Sequence, residues 1–194
     1  MESDLPTPNA SWTIFLDRDG VINRRLPGAY VRSWAEFEWL PGVVEAIVWL
    51  AQSFGRVIVV TNQQGIGKGL MDEAALAGIH RQMVAEVEAG GGRIDGIYFC
   101  PDLSSQQPNC RKPSPAMALL ARRDFPDIDF HRSIMVGDSL SDMDFGQQLG
   151  MFNVLVATKK EEADVIHQAK EGGLKIDAKV ESLAALAGAW RNRK

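Results

Sequence analysis

Three short, continuous apolar runs in this sequence end directly in polar side chains. They are Ile14–Leu16 before Asp17, Val57–Val60 before Thr61 and Asn62, and Ile134–Val136 before Gly137 and Asp138. Continuous runs, unlike alternating ones, are typical of strands that are buried on both faces of a parallel sheet. Two further runs of the same class cover residues 97–99 and 154–156. The sequence therefore predicts a parallel sheet that contains these five strands.

Helical patterns lie between the apolar runs. Apolar residues at helical spacing predict helices over about 43–55, 73–89, 116–125, 142–149 and 181–190. Asp72 and Ser141 are the expected N-caps of the second and fourth of these. Strands that alternate with helices predict an α/β fold in which helices cover a parallel sheet. We expect a loose tail over residues 1–10 and one domain over 11–194, because no linker or repeat divides the chain.

Composition and charge exclude several classes of protein. Hydrophobic residues make up 45% of the 194 residues, which is enough for a packed core, and the formal net charge is −4. An acidic chain disfavours broad binding to nucleic acid, and no apolar run approaches a membrane span. The first ten residues lack the basic start and apolar centre of a secretory signal. We therefore expect a cytoplasmic protein in which Cys100 and Cys110 are buried thiols rather than a disulfide.

The polar residues that follow the strands are expected to meet at one edge of the sheet. Ligands of parallel α/β sheets bind beyond the carboxyl ends of the strands. The residues placed there are Asp17, Asp19, Thr61, Asn62 and Asp138. A lone Asp after a strand is usually a turn or a helix cap, but three carboxylates together repel one another unless a cation binds them. A hard divalent cation with oxygen ligands fits, and Mg²⁺ commonly also contacts phosphate.

A basic element is expected to complete this site. Arg111 and Lys112 precede a Pro and a helix start, and a Lys beside carboxylates and a phosphoryl group would neutralise charge. Taken alone, a Lys-Pro pair is more often a solvated turn. Asp142, four residues after Asp138, is a possible fourth carboxylate. The segment GIGKG at 65–69 lacks the spacing of a P-loop and of the dinucleotide fingerprint, so we interpret it as a flexible glycine turn.

Four motifs in order resemble the haloacid dehalogenase (HAD) superfamily of phosphotransferases. They are DRDG at 17–20, the Thr61-Asn62 step, Lys112, and GDSLSD at 137–142. The longer segments FLDRDGVIN, VVTNQQGIGKG, CRKPSPAM and MVGDSLSDM are similar to the D-glycero-D-manno-heptose 1,7-bisphosphate phosphatases and the histidinol-phosphate phosphatases. TNQQGIGKG also resembles the phosphatase part of polynucleotide kinase 3′-phosphatases. The resemblance implies a Rossmann-like (HAD-like) sheet, and the spacing of the motifs leaves no room for a large cap domain.

The resemblance implies a catalytic role for five residues. Asp17 would be the nucleophile that forms an aspartyl-phosphate. Asp19 would protonate the leaving oxygen and then activate the water that cleaves the intermediate. Thr61 and Asn62 would hold the phosphoryl oxygens, and Lys112 would neutralise the charge that develops during transfer.

The resemblance also implies a metal site and a substrate contact. Asp17, Asp19 and Asp138 would bind Mg²⁺, with Asp19 contributing its backbone carbonyl if its side chain turns away. Asp142 would act from outside the metal site or orient Lys112. Arg111 would contact the substrate.

The chain departs from these families in the segment CPDLSSQQPNC. The close relatives carry a zinc loop of four Cys or His ligands there, whereas this sequence keeps only Cys100 and Cys110 and has Asp102 where a His is expected. Structural zinc usually takes four N or S ligands, so we expect none here. The change affects a loop beside the site and puts substrate choice, rather than phosphoryl chemistry, in question.

The leading prediction is a Mg²⁺-dependent phosphatase of a small sugar phosphate, with a heptose bisphosphate foremost and no membrane partner. The alternatives are histidinol phosphate, 3′-phosphorylated DNA ends, and a non-catalytic phosphate-binding protein. The acidic charge argues against DNA, and the presence of both Asp17 and Asp19 favours catalysis. Selectivity is expected from the loops 21–30 and 101–111. Arg24 and Arg25 either contact a second anionic group or are solvated loop charges.

Overall fold

A sheet of six parallel strands lies at the centre of the computed structural model, which describes residues 5–157 and 162–193. The strands are β1 (Thr13–Leu16), β2 (Arg56–Asn62), β3 (Gly96–Cys100), β4 (Ser133–Gly137), β5 (Phe152–Val156) and β6 (Ala178–Val180). Their spatial order is β3-β2-β1-β4-β5-β6. The five predicted strands are confirmed as β1 to β5. β6 escaped prediction because it has three residues, of which only the first is buried, and so carries no apolar run.

Helices flank the sheet along the described chain. They are α1 (Val43–Ser53), α2 (Gln64–Gly67), α3 (Glu73–Ala89), α4 (Ala116–Asp124), α5 (Leu140–Gln148), α6 (Glu162–Glu171) and α7 (Leu183–Arg191). Between β1 and β2 the chain forms α1 and one short 3-10 helix, Trp34–Glu36. This confirms the predicted α/β fold without a large cap domain. Within the described residues, no helix combines the length and apolarity needed to cross a membrane.

Two local predictions, one about the N-cap of α5 and one about the GIGKG segment, need correction. α5 begins at Leu140 with Ser139 as its N-cap, not Ser141, because the Ser139 backbone N–H and hydroxyl both donate to the Asp142 carboxylate, at 3.1 and 2.6 Å. The segment GIGKG is not simply a flexible turn, since its first three residues lie in α2. The predicted cap of α3 is confirmed, because Asp72 accepts from the Ala75 N–H at 2.7 Å.

Successive residues of the central strands face two separate cores. Ile14 and Leu16 lie in the core that is formed with α1, α3 and α7, and Phe15 between them lies in the core formed with α4 and α5. Both faces of β1 are therefore buried, which explains why its sequence is continuously apolar. Burial on both faces holds β1 in a fixed position. The position of Asp17, which follows β1 directly, is therefore fixed as well.

The N-terminal segment packs more closely than the predicted loose tail. Leu5 is buried in the core, and the Trp190 indole N–H of α7 donates to the Pro6 carbonyl at 2.8 Å. The prediction of a loose tail over residues 1–10 is therefore wrong for Leu5 and Pro6. Residues 1–4 lie outside the described chain.

Candidate active site

The candidate site lies at the carboxyl ends of the central strands. The strand order reverses between β1 and β4, and in open α/β sheets such a reversal opens a crevice for ligands. The backbone N–H of Asp17 donates to the Val136 carbonyl at 2.9 Å, so the two strands stay paired up to the edge of this crevice. A cavity of about 410 Å³ opens there. Every predicted site residue lines it: Asp17, Asp19, Thr61, Asn62, Arg111, Lys112, Asp138 and Asp142.

A buried lysine lies between two carboxylates at the floor of the cavity. The Lys112 ammonium is 2.7 Å from Asp17 Oδ1 and 2.5 Å from Asp142 Oδ1, and it donates to the Val60 carbonyl at 2.8 Å. All three of its hydrogens therefore have acceptors. The Lys112 and Asp142 side chains are almost fully buried, and that of Asp17 is 10% exposed. This arrangement fixes the carboxylate of Asp17 from one side and leaves its other oxygen available to the cavity.

Negative charge exceeds positive charge at this floor. Burial raises the pKa of Asp17 to about 8, and the carboxylates of Asp142, Asp138 and Asp19 add to the rise while Lys112 opposes it. Burial and the neighbouring Asp142 likewise raise the pKa of Asp138 to about 6. The pKa of Lys112 stays above its ordinary value, because its ion pairs with Asp142 and Asp17 outweigh the effect of burial. A further positive charge would therefore be strongly favoured at this position.

The donor set fits a hard divalent cation. Carboxylate oxygens of Asp17, Asp138 and Asp142 lie within 4.8 Å of one another. Oxygen-only ligands are typical of magnesium and calcium sites. Gly20, at φ +100°, leaves room beside them, since a Cβ at this position would collide with Asp138 Oδ2. Arg25 reaches Asp138 Oδ2 at 3.2 Å from the exposed loop after β1.

The carboxylate of Asp19 lies outside this group of metal-ligand candidates. Arg18 donates to both of its oxygens at 2.9 Å, Asn23 donates to Oδ1 at 2.9 Å, and Gln63 donates to Oδ2 at 2.9 Å. Although burial raises the pKa of Asp19, the Arg18 charge and these hydrogen bonds outweigh it and lower the pKa overall. Its carboxylate is not among the clustered oxygens of Asp17, Asp138 and Asp142, which leaves the backbone carbonyl as the candidate ligand from this residue.

Thr61 and Asn62 follow β2 and have different partners. The Thr61 hydroxyl accepts from the Gln63 side-chain amide at 2.8 Å, so its own hydrogen remains available. Asn62 instead holds the backbone of Lys112, accepting from its N–H at 2.9 Å and donating to its carbonyl at 3.4 Å. The geometry therefore adds to the predicted role of Asn62 a second one, the placement of Lys112.

A more exposed wall lines the same cavity. It consists of Tyr30, Lys68 and Arg111, which we call the loop wall. The Lys68 ammonium lies 5.3 Å from the centre of the Tyr30 ring, a cation–π distance. The half-buried Arg111 donates to the Asp102 carbonyl at 3.3 Å. Tyr30 and Lys68 were not among the predicted site residues. Lys68 belongs to the GIGKG segment, which was interpreted as a flexible glycine turn.

The loop before Arg111 is closed by a disulfide between Cys100 and Cys110. The expectation of two free buried thiols is therefore wrong. β3 ends at Cys100, and the loop returns so that the two Cα atoms are 5.5 Å apart, within bonding range. Asp102 accepts from the Cys110 N–H at 2.9 Å, which holds the return of the loop.

Comparison with known proteins identifies the family. A HAD-hydrolase-like family model matches residues 109–186, which include Lys112, Asp138 and Asp142. The D-glycero-alpha-D-manno-heptose-1,7-bisphosphate 7-phosphatase of Mycobacterium bovis is 44% identical over 172 residues, covering 89% of this chain and 87% of the relative. The D-glycero-beta-D-manno-heptose-1,7-bisphosphate 7-phosphatase of Bordetella bronchiseptica is 39% identical over 176 residues, covering 90% and 94%.

A solved structure agrees with these sequence relatives. The crystal structure of D,D-heptose 1,7-bisphosphate phosphatase from B. bronchiseptica, complexed with magnesium and phosphate, superposes with a TM-score of 0.82 at 36% identity. The match covers 94% of this chain and 99% of that one. Sequence and fold thus agree over nearly the whole length of both proteins. The chain belongs to the HAD family of hydrolases and is one of its phosphatases.

Proposed function

We propose that this protein is a Mg²⁺-dependent phosphatase that hydrolyses a phosphomonoester of D-glycero-D-manno-heptose 1,7-bisphosphate. The observation that carries the proposal is the Lys112-bound carboxylate of Asp17, which lines the cavity at the strand-order reversal. The two heptose bisphosphate 7-phosphatases at 44% and 39% identity supply the substrate class and the 7-position.

The proposed first step is attack of Asp17 on phosphorus. A carboxylate oxygen of Asp17 forms a bond to phosphorus while the bond from phosphorus to the sugar oxygen breaks. Asp19, protonated from solvent before this step, gives that proton to the leaving oxygen, so the sugar departs as a neutral alcohol. Lys112 and the Thr61 hydroxyl bind the transferring phosphoryl oxygens, whose charge rises during transfer.

The proposed second step regenerates the enzyme. Asp19, now a carboxylate, takes a proton from a water molecule that attacks the phosphorus of the aspartyl-phosphate. The acyl-phosphate bond breaks, inorganic phosphate leaves, and Asp17 returns to its starting form. One residue cannot be nucleophile and proton donor at once, which is why the motif needs both carboxylates.

Asp17, Asp138 and the Asp19 carbonyl are the proposed Mg²⁺ ligands, with Asp142 orienting Lys112. When bound, the ion supplies charge neutralisation that keeps Asp17 deprotonated and screens the phosphoryl group. The excess of buried carboxylates over cations supports a cation here, and so does the magnesium in the solved relative. The disulfide between Cys100 and Cys110 supports the absence of structural zinc, because it occupies both thiols.

The loop wall is the proposed site of the second phosphate. Lys68 and Arg111 place two cations in the same cavity as Asp17, and a bisphosphate carries a second dianionic group. A histidinol phosphate has no such group, so the pair favours the bisphosphate over this alternative. We further propose that the enzyme works in the cytoplasm and does not act on nucleic acid, since its substrate is a small charged metabolite and the chain is acidic.

The test is phosphate release by purified protein with Mg²⁺ and, separately, with a chelator. Both anomers of the heptose bisphosphate are compared with histidinol phosphate at matched concentrations, because the relatives are named for either anomer. Strong preference for a heptose anomer, lost with the chelator, supports the proposal. Equal slow rates on all three substrates would contradict the substrate, and rates that survive complete chelation would contradict the role of Mg²⁺.

A further inference from the structure

Asp19 is held by an unusual set of neighbours for a group that must accept and release protons. Three side chains donate to its carboxylate, namely Arg18, Asn23 and Gln63, and we call them the Asp19 brace. Asn23 is four residues along the same turn, whereas Gln63 comes from the segment after β2. Contacts from two parts of the chain thus determine the direction of one side chain.

A contribution to folding stability does not explain why Arg18 is buried. It is 0% exposed, although a guanidinium is costly to bury, and its charge is paired with Asp19. Within the described part of the chain, Arg18 Nε has no hydrogen-bond partner. A buried arginine placed only for folding would normally have all its donors satisfied. Its position is better explained by the requirement to reach Asp19.

His80 of α3 supports Arg18 from behind. Its Nε2 lies 3.3 Å from Nη1 of Arg18, whereas Nη2 is the nitrogen that donates to Asp19. Burial, together with the Arg18 charge, lowers the pKa of His80 to about 3, so the ring is neutral and can accept from the guanidinium. The α3 helix thereby fixes the far side of the arginine.

Gln63 links the acid/base group to the phosphoryl-binding group. Its side-chain amide has two hydrogens, of which one reaches Asp19 Oδ2 at 2.9 Å and the other Thr61 Oγ1 at 2.8 Å. Gln63 itself is buried, so water competes little for these bonds. Because Thr61 Oγ1 accepts from Gln63, the Thr61 hydroxyl is left to donate towards the cavity.

We infer that Gln63 and Arg18 are positioning residues that set the Asp19 carboxylate and the Thr61 hydroxyl relative to one another. The group that transfers the proton and the group that binds the phosphoryl oxygens are then both correctly placed for the same substrate. The inference rests on the proposed function and deepens it. Neither residue touches the reacting atoms. Both act through a neighbour, and a hydrogen bond to a charged group is strong enough to control side-chain direction.

The test uses leaving groups of different basicity. An alkyl phosphate such as the heptose bisphosphate needs a proton on its leaving oxygen, whereas p-nitrophenyl phosphate releases a stable phenolate without one. For Gln63→Met we expect kcat to fall roughly 30-fold on the alkyl phosphate and less than about 5-fold on p-nitrophenyl phosphate. Gln63→Glu, which keeps the shape but loses the paired donors, should show the same contrast.

Two further variants complete the design. Arg18→Lys keeps the charge, contacts no atom of Thr61, and should show the leaving-group contrast without changing inhibition by inorganic phosphate. Gln63→Met should weaken that inhibition, because Thr61 loses its partner. Gln82→Met, on an exposed position of α3, is the matched control and should resemble the wild type. Thermal unfolding of each variant tests that the fold is retained.

Equal losses on both substrates would overturn the inference, since a general structural defect slows every substrate alike. Full activity of Gln63→Met on the alkyl phosphate would overturn it as well. These results differ from failure of the proposed function, in which the wild-type protein itself would release no phosphate from either ester.

Discussion

The two sides of the cavity are built differently. The floor consists of Asp17, Lys112, Asp138 and Asp142, which follow buried strands or lie against them. Its Lys112 contacts Asp17 and Asp142 at 2.7 and 2.5 Å. The loop wall has an exposed Lys68 and a half-buried Arg111, whose partners are a ring and a backbone carbonyl. From this difference we propose that the sheet fixes the chemistry while the loops select the substrate. Substitutions at the floor should therefore lower kcat, whereas substitutions on the loop wall should raise KM.

The largest effect is expected from Asp17→Asn at the floor. The amide cannot attack phosphorus, so kcat should fall by about 10³-fold or more, while the fold is retained because Lys112 keeps its bond to Asp142. Phosphate release and thermal unfolding are the two measurements. An Asp17→Asn protein with substantial turnover would show that a different residue is the nucleophile.

Lys112→Met should affect both activity and stability. It leaves the buried carboxylates of Asp17 and Asp142 without their cation, which typically costs about 3 kcal/mol or more, and it removes a charge that stabilises the transferring phosphoryl group. We expect kcat to fall about 100-fold and denaturant unfolding to shift accordingly. Lys170→Met, at an exposed position of α6, serves as the control and should change neither quantity. Unchanged stability of Lys112→Met would argue against the buried ion pairs.

Removal of the disulfide should separate stability from catalysis. Cys110→Ala opens the loop between residues 100 and 110, and closing a loop of that length contributes roughly 2–3 kcal/mol in the chain-entropy account. Because neither cysteine is among the residues that line the cavity, kcat should change less than about 3-fold. The wild-type protein under a dithiol reductant should show the same loss of unfolding free energy. A collapse of kcat would instead mean that the loop positions Lys112.

The smallest effect is expected from Arg111→Met on the loop wall. A charge contact that is partly open to solvent contributes about 1 kcal/mol, so KM for the bisphosphate should rise roughly 5- to 10-fold with little change in kcat. KM for a monophosphate lacking the second group should stay nearly constant. Steady-state kinetics on both substrates measure the contrast. Equal changes in KM on both would remove Arg111 from recognition of the second phosphate.

The floor could be predicted from the sequence because the end of each strand is marked by a polar residue after an apolar run. Asp17 and Asp138 follow continuous apolar runs, and parallel strands bring such positions to one edge. The Asp19 brace could not, because Arg18 stands between two acidic residues in the sequence and only the fold shows it to be buried. Gln63 gains its role from a contact across 44 residues of chain.

The loop after β3 and the start of α5 were less accessible to sequence reasoning for a related reason. Two cysteines ten residues apart carry no signal that separates a disulfide from two thiols, and the outcome depends on how the loop after β3 returns. Ser139 and Ser141 both precede α5, and only the contact with Asp142 identifies the cap. Short-range contacts decide whether the disulfide forms and which serine caps α5. The periodicity of apolar residues does not indicate such contacts.

The central place of β1 has a consequence for synthesis of the chain. β1 pairs with β2, which follows it closely, and with β4, which begins only at residue 133. At a ribosomal rate of roughly 5–20 residues per second, one edge of an apolar strand stays unpaired for several seconds after β2 has emerged. Asp138 and Asp142 arrive with the same late segment, so a nascent chain assembles the floor of the cavity only as this edge closes.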